Sequence, residues 1–244
     1  MHSRDRLEQA FVLHRRDYAN TSLLLEIFSG TQGRFPAIAK GAKRGRAPTA
    51  VLLQPFRPLW LSWTGRGEVR TLARMEAAGR ALTLSGKALF CGFYLNELLM
   101  RLLGRNDPHE DLFAFYHAAL TRLAEGADLD GPLRQFELRL LQDTGYALDL
   151  GREWNTGQPV VAGCRYVYEA ERGMRAAAAE EGDQVRGETL LALAAGEPIA
   201  GDLAREARGL MRAALAPYLG PRPLRSRELF LQLGGAPGSP SARE

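Results

Sequence analysis

Cations, rather than nucleophiles or metal ligands, are the residues here whose spacing could do chemistry. Lys40, Lys43, Arg44 and Arg46 fall within seven residues that also hold Gly41 and Gly45, and Arg34 stands six positions upstream. Glycine lets a backbone approach a phosphate closely, and each cation can displace the counterions of one phosphate. Arg66, between Gly65 and Gly67, adds a further cation of the same kind. The competing reading is a solvated loop without a ligand, and the local charge balance weighs against it. Residues 1–80 carry 14 Lys and Arg against 6 Asp and Glu, a net +8, whereas residues 81–244 carry 18 against 22, a net −4. A basic first part joined to a mildly acidic remainder points to two modules with different partners, the first suited to phosphate backbones.

A second group of cations lies in the remainder. Arg134 and Arg139 stand five apart in one helical pattern, and Arg222, Arg225 and Arg227 cluster near the end. Arginines beside an apolar groove can grip an acidic peptide through charge-assisted bonds, and the alternative is a solvated helix face. Catalytic patterns are missing. The four histidines have no metal-ligand spacing, no G-x-S-x-G elbow is present, and the phosphate-cradling G-x-x-x-x-G-K-[ST] loop is absent. Cys91 and Cys164 form no C-x-x-C pair, so this chain cannot build a four-thiolate zinc site, and neither a metal nor a cofactor is expected. An enzyme is therefore not expected either.

The elements that position these residues fall into two styles. Segments Ala10–His14, Ser22–Ser29, Phe35–Ala39, Pro58–Trp63 and Glu68–Met75 are rich in β-branched, aromatic and apolar residues, with glycine turns between them. Five short strands in so little chain suggest a closed barrel; an OB-type barrel fits, and an SH3-like barrel fits the periodicity almost as well. Phe35, Phe56, Trp60 and Trp63 could stack on unpaired bases, and strand alternation makes Trp60 the outward ring of the two tryptophans. Pro36 inside a strand implies an edge position or a bulge.

Beyond residue 80 the period becomes helical. One helix carries Leu89 to Leu103 and stops at Gly104. A second is capped by Asp107 with Pro108 in its first turn and Glu110 completing a capping box, and a third begins near Asp130. Residues 151–187 are irregular, with a hairpin formed by Arg165–Glu169 and Met174–Ala177. Helices follow around Glu188–Ala195, Leu203–Leu219 and Ser226–Leu233, before a Gly-, Pro- and Ser-rich tail at 235–244 expected to be disordered. The fold class is thus α+β: a barrel at 1–80, then a helical domain at 81–234. No run approaches the roughly 18 apolar residues of a membrane span, and the N-terminus lacks a secretory h-region, so the expected location is the cytoplasm.

Several blocks, in order along nearly the whole chain, resemble the RecO family of recombination mediators. They are Tyr18–Leu25, Gly33-Arg34 with Ala39–Ala42, Leu53–Phe56, Gly92–Leu99, Phe136–Leu141 with Gly145-Tyr146, and Leu224–Phe230. The resemblance implies an N-terminal OB fold, a mostly helical remainder, and work in recombinational DNA repair at the nucleoid. It implies binding of single- and double-stranded DNA, partnership with RecR, capture of the acidic tail of the single-strand-binding protein SSB, annealing of strands coated by SSB, and service to RecA loading. Arg34, Lys40, Lys43, Arg44 and Arg46 fall in the segment resembling the family's DNA-contacting surface, and Arg134 falls in the helix resembling the tail site. Some members hold zinc with four cysteines; this chain keeps only Cys164 near that place. An adaptor that binds acidic peptides but not DNA is the alternative from another class, and a nuclease would need clustered metal-binding carboxylates.

Overall fold

The computed structural model describes residues 6–44, 49–65, 67–179 and 181–234. Five strands, β1 (Glu8–Tyr18), β2 (Ser22–Ser29), β3 (Gly33–Ala39), β4 (Leu59–Thr64) and β5 (Arg70–Ala77), close into a barrel in the order β1-β2-β3-β5-β4. All neighbours are antiparallel except β3 and β5, which meet in parallel at Ala37–Arg70 and Ile38–Thr71. A short helix, α1 (Thr49–Leu52), lies between β3 and β4. This order, with a parallel closure, is that of an OB-type barrel and decides against an SH3-like one. Pro36 pairs with β2 opposite Glu26 and precedes the brief contact with β5, so it lies where β3 has one neighbour and needs no second ladder donor.

The strand alternation explains how the barrel is both filled and mounted. Ala10, Val12, Leu25, Ile27, Phe35, Leu61 and Trp63 point inward to a closed core. Phe11, Leu13 and Phe28, one step out of phase, point outward into a second core built by helices α2 (Gly86–Leu102), α3 (Glu110–Glu125) and α4 (Asp130–Asp143). β1 is therefore apolar on both faces along Ala10–Leu13, as a strand sandwiched between two cores must be. Trp63 is buried and Trp60 is outward, as the alternation requires.

Polar contacts lock the joint. Buried Asn96 of α2 donates to the Leu13 carbonyl at 2.8 Å and accepts the Tyr116 hydroxyl of α3. Gly33 has φ of 65°, and a Cβ there would collide with the Asp107 carbonyl, so glycine is required twice over. The same packing corrects the expected start of α3. Asp107 and Pro108 lie outside the helix against the β2–β3 turn, His109 is the N-cap, and the His109 amide donates to the Gly30 carbonyl.

A third core sits under a small sheet, β6 (Arg165–Glu169), β7 (Gly173–Ala176) and β8 (Val185–Arg186), in the order β7-β6-β8, with α5 (Gly187–Ala195) beside it. The expected hairpin is β6–β7. Helix α6 (Gly201–Leu219) joins the two helical cores: Ala207 and Leu210 face the small sheet, while Met211, Ala214 and Leu215 face the bundle. Helix α7 (Arg225–Gly234) ends the described chain, and the tail expected at 235–244 lies outside the described residues. No described helix is long and apolar enough to cross a membrane.

Candidate nucleic-acid interface and peptide pocket

Lys40 and Arg44 are exposed on the loop after β3, and neither makes an ion pair with a described residue. The loop is pinned by Lys43, whose amide donates to the Thr21 carbonyl at 3.0 Å and whose ammonium pairs with Asp17 at 3.0 Å. That pinning sets the loop against the far end of β1. Arg16 and Tyr18 are exposed there, and Arg15 reaches the Ala50 carbonyl at 2.7 Å. Among the described residues, the cationic end of the barrel therefore includes Lys40, Lys43 and Arg44 together with Arg15 and Arg16. The last two escape a reading that stops the first strand at His14, because the run His14–Tyr18 is polar although the strand continues through it to a tight turn at Ala19. Arg46 and Arg66 lie outside the described residues.

Arg34 is elsewhere. It is the second residue of β3 and Lys40 follows the strand's end, so the two are separated by about 20 Å of strand. Its guanidinium is held by Glu26 and donates twice to the Leu103 carbonyl, at 2.9 and 3.2 Å. Arg34 thus ties the barrel to the end of α2. The aromatic candidates separate in the same way. Phe35 and Trp63 lie in the barrel core beneath Arg70, whose guanidinium carbon sits 4.1 and 5.4 Å from their ring centres. Phe56 packs edge-on against Phe93 of α2. Trp60 is outward but pairs with Gln9 at the start of β1, roughly 30 Å along that strand from Tyr18. Tyr18 is the exposed ring at the cationic end.

The second group of cations also divides. Arg134 lines a pocket of about 580 Å³ between α2, α4, α6 and α7. Phe90 and Tyr94 of α2, Leu133 of α4, Leu215 of α6 and Phe230 of α7 supply apolar walls; Lys87, Arg208, Arg212 and Arg227 bring positive charge, with Arg208 held by Asp130 at 2.8 Å. Arg134 is only 6% exposed and bonds Glu137 at 2.8 Å, while Glu137, fully buried, also accepts the Tyr94 hydroxyl at 2.6 Å. The buried Nε of Arg134, like Oε2 of Glu137, has no partner among the described residues. Burial pushes the Glu137 carboxyl above its ordinary value, opposed by Arg134 and by the Tyr94 hydrogen bond. Burial, reinforced by Glu137, pushes the Tyr94 phenol well up.

Arg139 is absent from this pocket. Five positions turn a helix by about 140°, so it faces away, where Asp111 holds it at 2.9 Å and Asp143 at 2.7 Å, beside the Phe115 ring. Arg227 belongs to the pocket, whereas Arg222 and Arg225 line a separate cleft of about 1010 Å³ between barrel and bundle. Arg208 and Arg212 were legible only as an i, i+4 pair beside Leu215 on α6. Among the described residues no group of three or more His, Cys, Asp or Glu could hold a metal ion.

The sequence that builds this barrel and bundle has relatives among known proteins. The model of the recombination protein O N-terminal region matches residues 1–80, and that of the C-terminal region matches residues 84–228. The chain belongs to the RecO family. Among its relatives, the DNA repair protein RecO of Methylococcus capsulatus is 50% identical over 228 residues, covering 93% of this chain and 94% of that one. The RecO proteins of Nitrosospira multiformis and Alkalilimnicola ehrlichii are 47% and 48% identical, each alignment covering at least 93% of both chains. Membership places this RecO-family chain among DNA repair and recombination proteins.

Proposed function

We propose that this chain is a non-catalytic recombination mediator of the cytoplasm and nucleoid. It binds single- and double-stranded DNA at the cationic end of its barrel, takes the acidic tail of SSB into the Arg134 pocket, and anneals complementary strands from which SSB is being displaced. With RecR, this activity serves RecA loading. The supporting observation is the presence of exposed cations on the barrel, without ion-pair partners among the described residues, and of a pocket with apolar walls and a buried arginine in the helical part. The first suits a polyanion of any sequence, and the second suits a short acidic peptide ending in an apolar side chain. Annealing needs no nucleotide hydrolysis, because cations screen strand repulsion and base pairing supplies the free energy.

The deciding experiment is annealing of complementary oligonucleotides precoated with SSB, without ATP, using SSB with and without its acidic tail. Fast annealing that requires the tail is expected. Peptide binding with no DNA retention at physiological salt would favour an adaptor, and cleavage of labelled DNA in magnesium or manganese would favour a nuclease.

A further inference from the structure

We infer that Glu97 and Arg101 of α2 are positioning residues for the acidic-peptide pocket, acting through α7; the inference rests on the peptide reading above. Leu224, Arg227 and Phe230 form one wall of that pocket, and Phe230 meets Phe90 across it with ring centres 6.1 Å apart. The rest of the pocket belongs to packed helices of the bundle, whereas α7 rests chiefly on α2. Its placement is decided at its first turn. The Glu97 carboxylate accepts the amides of Arg225 and Ser226 at 3.1 and 3.0 Å and the Ser226 hydroxyl at 2.8 Å. A carboxylate there satisfies amides that have no partner inside the helix and complements the positive end of its dipole.

Arg101, one turn along α2, fixes the connector that leads into α7. It donates to the carbonyls of Leu219, Arg222 and Pro223 while pairing with Glu97 at 2.7 Å. Burial alone would raise the Glu97 carboxyl, yet the bonds from Ser226 and Arg225 and the nearby Arg101 bring it below its ordinary value, so it remains charged near neutral pH. Neither residue lines the peptide pocket. Both lie in the cleft between barrel and bundle, and that cleft shares only Leu219 and Ser226 with the pocket. Phe90 and Tyr94, which do line the pocket, stand seven positions before Glu97 and Arg101, on the same stripe of α2. One face of one helix thus supplies the fixed wall and then the clasp that holds the opposing wall at its distance. A wall held in place before the peptide arrives spares the ordering cost that binding would otherwise carry.

The test is fluorescence anisotropy with a fluorescein-labelled synthetic peptide of aspartates ending in phenylalanine, titrated with the full chain. Glu97→Ala should weaken binding about tenfold, the ordering cost of one or two side chains. Glu97→Gln keeps an acceptor for Ser226 and should recover most of that loss, and single-stranded DNA affinity should stay unchanged in both. In an Arg227→Ala/Phe230→Ala background, where α7 no longer supplies the wall, Glu97→Ala should add less than about a twofold loss. Wild-type affinity in Glu97→Ala, or an equal loss in both backgrounds, would overturn the inference and leave the pocket reading standing. Failure of the wild-type chain to bind the peptide would remove the pocket reading and the inference with it.

Discussion

The cationic barrel end and the arginine pocket use the same type of residue under opposite physical conditions. Lys40, Arg44 and Arg16 are exposed and without ion-pair partners among the described residues, so their charge stays in water and is available to any phosphate. Arg134 is almost wholly withdrawn from water and is already bonded to a buried carboxylate. Exposed cations contribute through counterion release, which is strong at low salt, insensitive to sequence and tolerant of geometry. A buried, oriented guanidinium bears a desolvation cost within the fold and in return offers a direction-specific donor. Net charge alone therefore locates the first kind of surface and misses the second. Residues 81–244 are net acidic, yet they hold the more highly organised cation.

The largest effect is expected from removing Arg134. Arg134→Ala leaves Glu137 buried without its cation, and losing one partner of a buried pair destabilises by about 3–5 kcal/mol. The pH dependence has a definite sign. Burial already raises the Glu137 carboxyl above 4.5, and without Arg134 it rises further. An acid whose folded pKa is raised takes up a proton on folding, so the variant should lose stability as pH rises from about 4.5 towards the folded value. Urea unfolding should therefore show Arg134→Ala closer to wild type at pH 5 than at pH 8. Arg134→Ala/Glu137→Gln should regain most of the stability at pH 8 without regaining peptide affinity. A difference from wild type that does not change with pH would mean that Glu137 is not charged beside Arg134.

A smaller effect is expected from the exposed cations, and it should appear in salt dependence rather than in stability. The triple change Arg16→Ala/Lys40→Ala/Arg44→Ala should reduce the slope of log affinity for single-stranded DNA against log salt by about 2, from roughly 0.7 per phosphate contact. Its unfolding midpoint and its affinity for the acidic peptide should match wild type. In Arg34→Ala the slope should hold while stability falls, because the Arg34 donors serve Glu26 and the Leu103 carbonyl. If Arg34→Ala instead lowers the slope as much as two loop cations do, the barrel joint is part of the DNA surface.

These residues also show what a sequence can and cannot express. Strands and helices were legible because burial imposes a period, and Pro36 could be assigned to a poorly paired stretch because proline lacks a donor. Trp60 and Trp63 were separable by alternation alone. Arg34 was not legible as a tether, since the carbonyl it serves lies 69 positions away. The end of β1 was hidden because His14–Tyr18 is polar, and only its pairing with Ser22–Glu26 shows it to be strand. Asp107 carries a capping signature that tertiary packing against Gly33 overrides. Charge and periodicity are local; which cation finds a partner is not.

The smallest effect separates the two cysteines and reports on the pocket without changing it. Cys91 lines the pocket beside Phe90 and Tyr94, and burial, followed by the nearby Asp130, pushes its thiol up to about 11. Cys164 is exposed near the small sheet. Only a thiolate attacks a disulfide reagent, so at pH 8 a chromogenic disulfide should modify one thiol rapidly and leave Cys91 almost untouched. Raising the pH towards 11 should bring in the second thiol. Saturating acidic peptide should slow that second phase by covering the pocket, whereas single-stranded DNA should leave it unchanged, because the barrel cations lie on another module. A second phase slowed equally by DNA would show that the two surfaces compete for one ligand, and the division of labour between exposed and buried cations would fail.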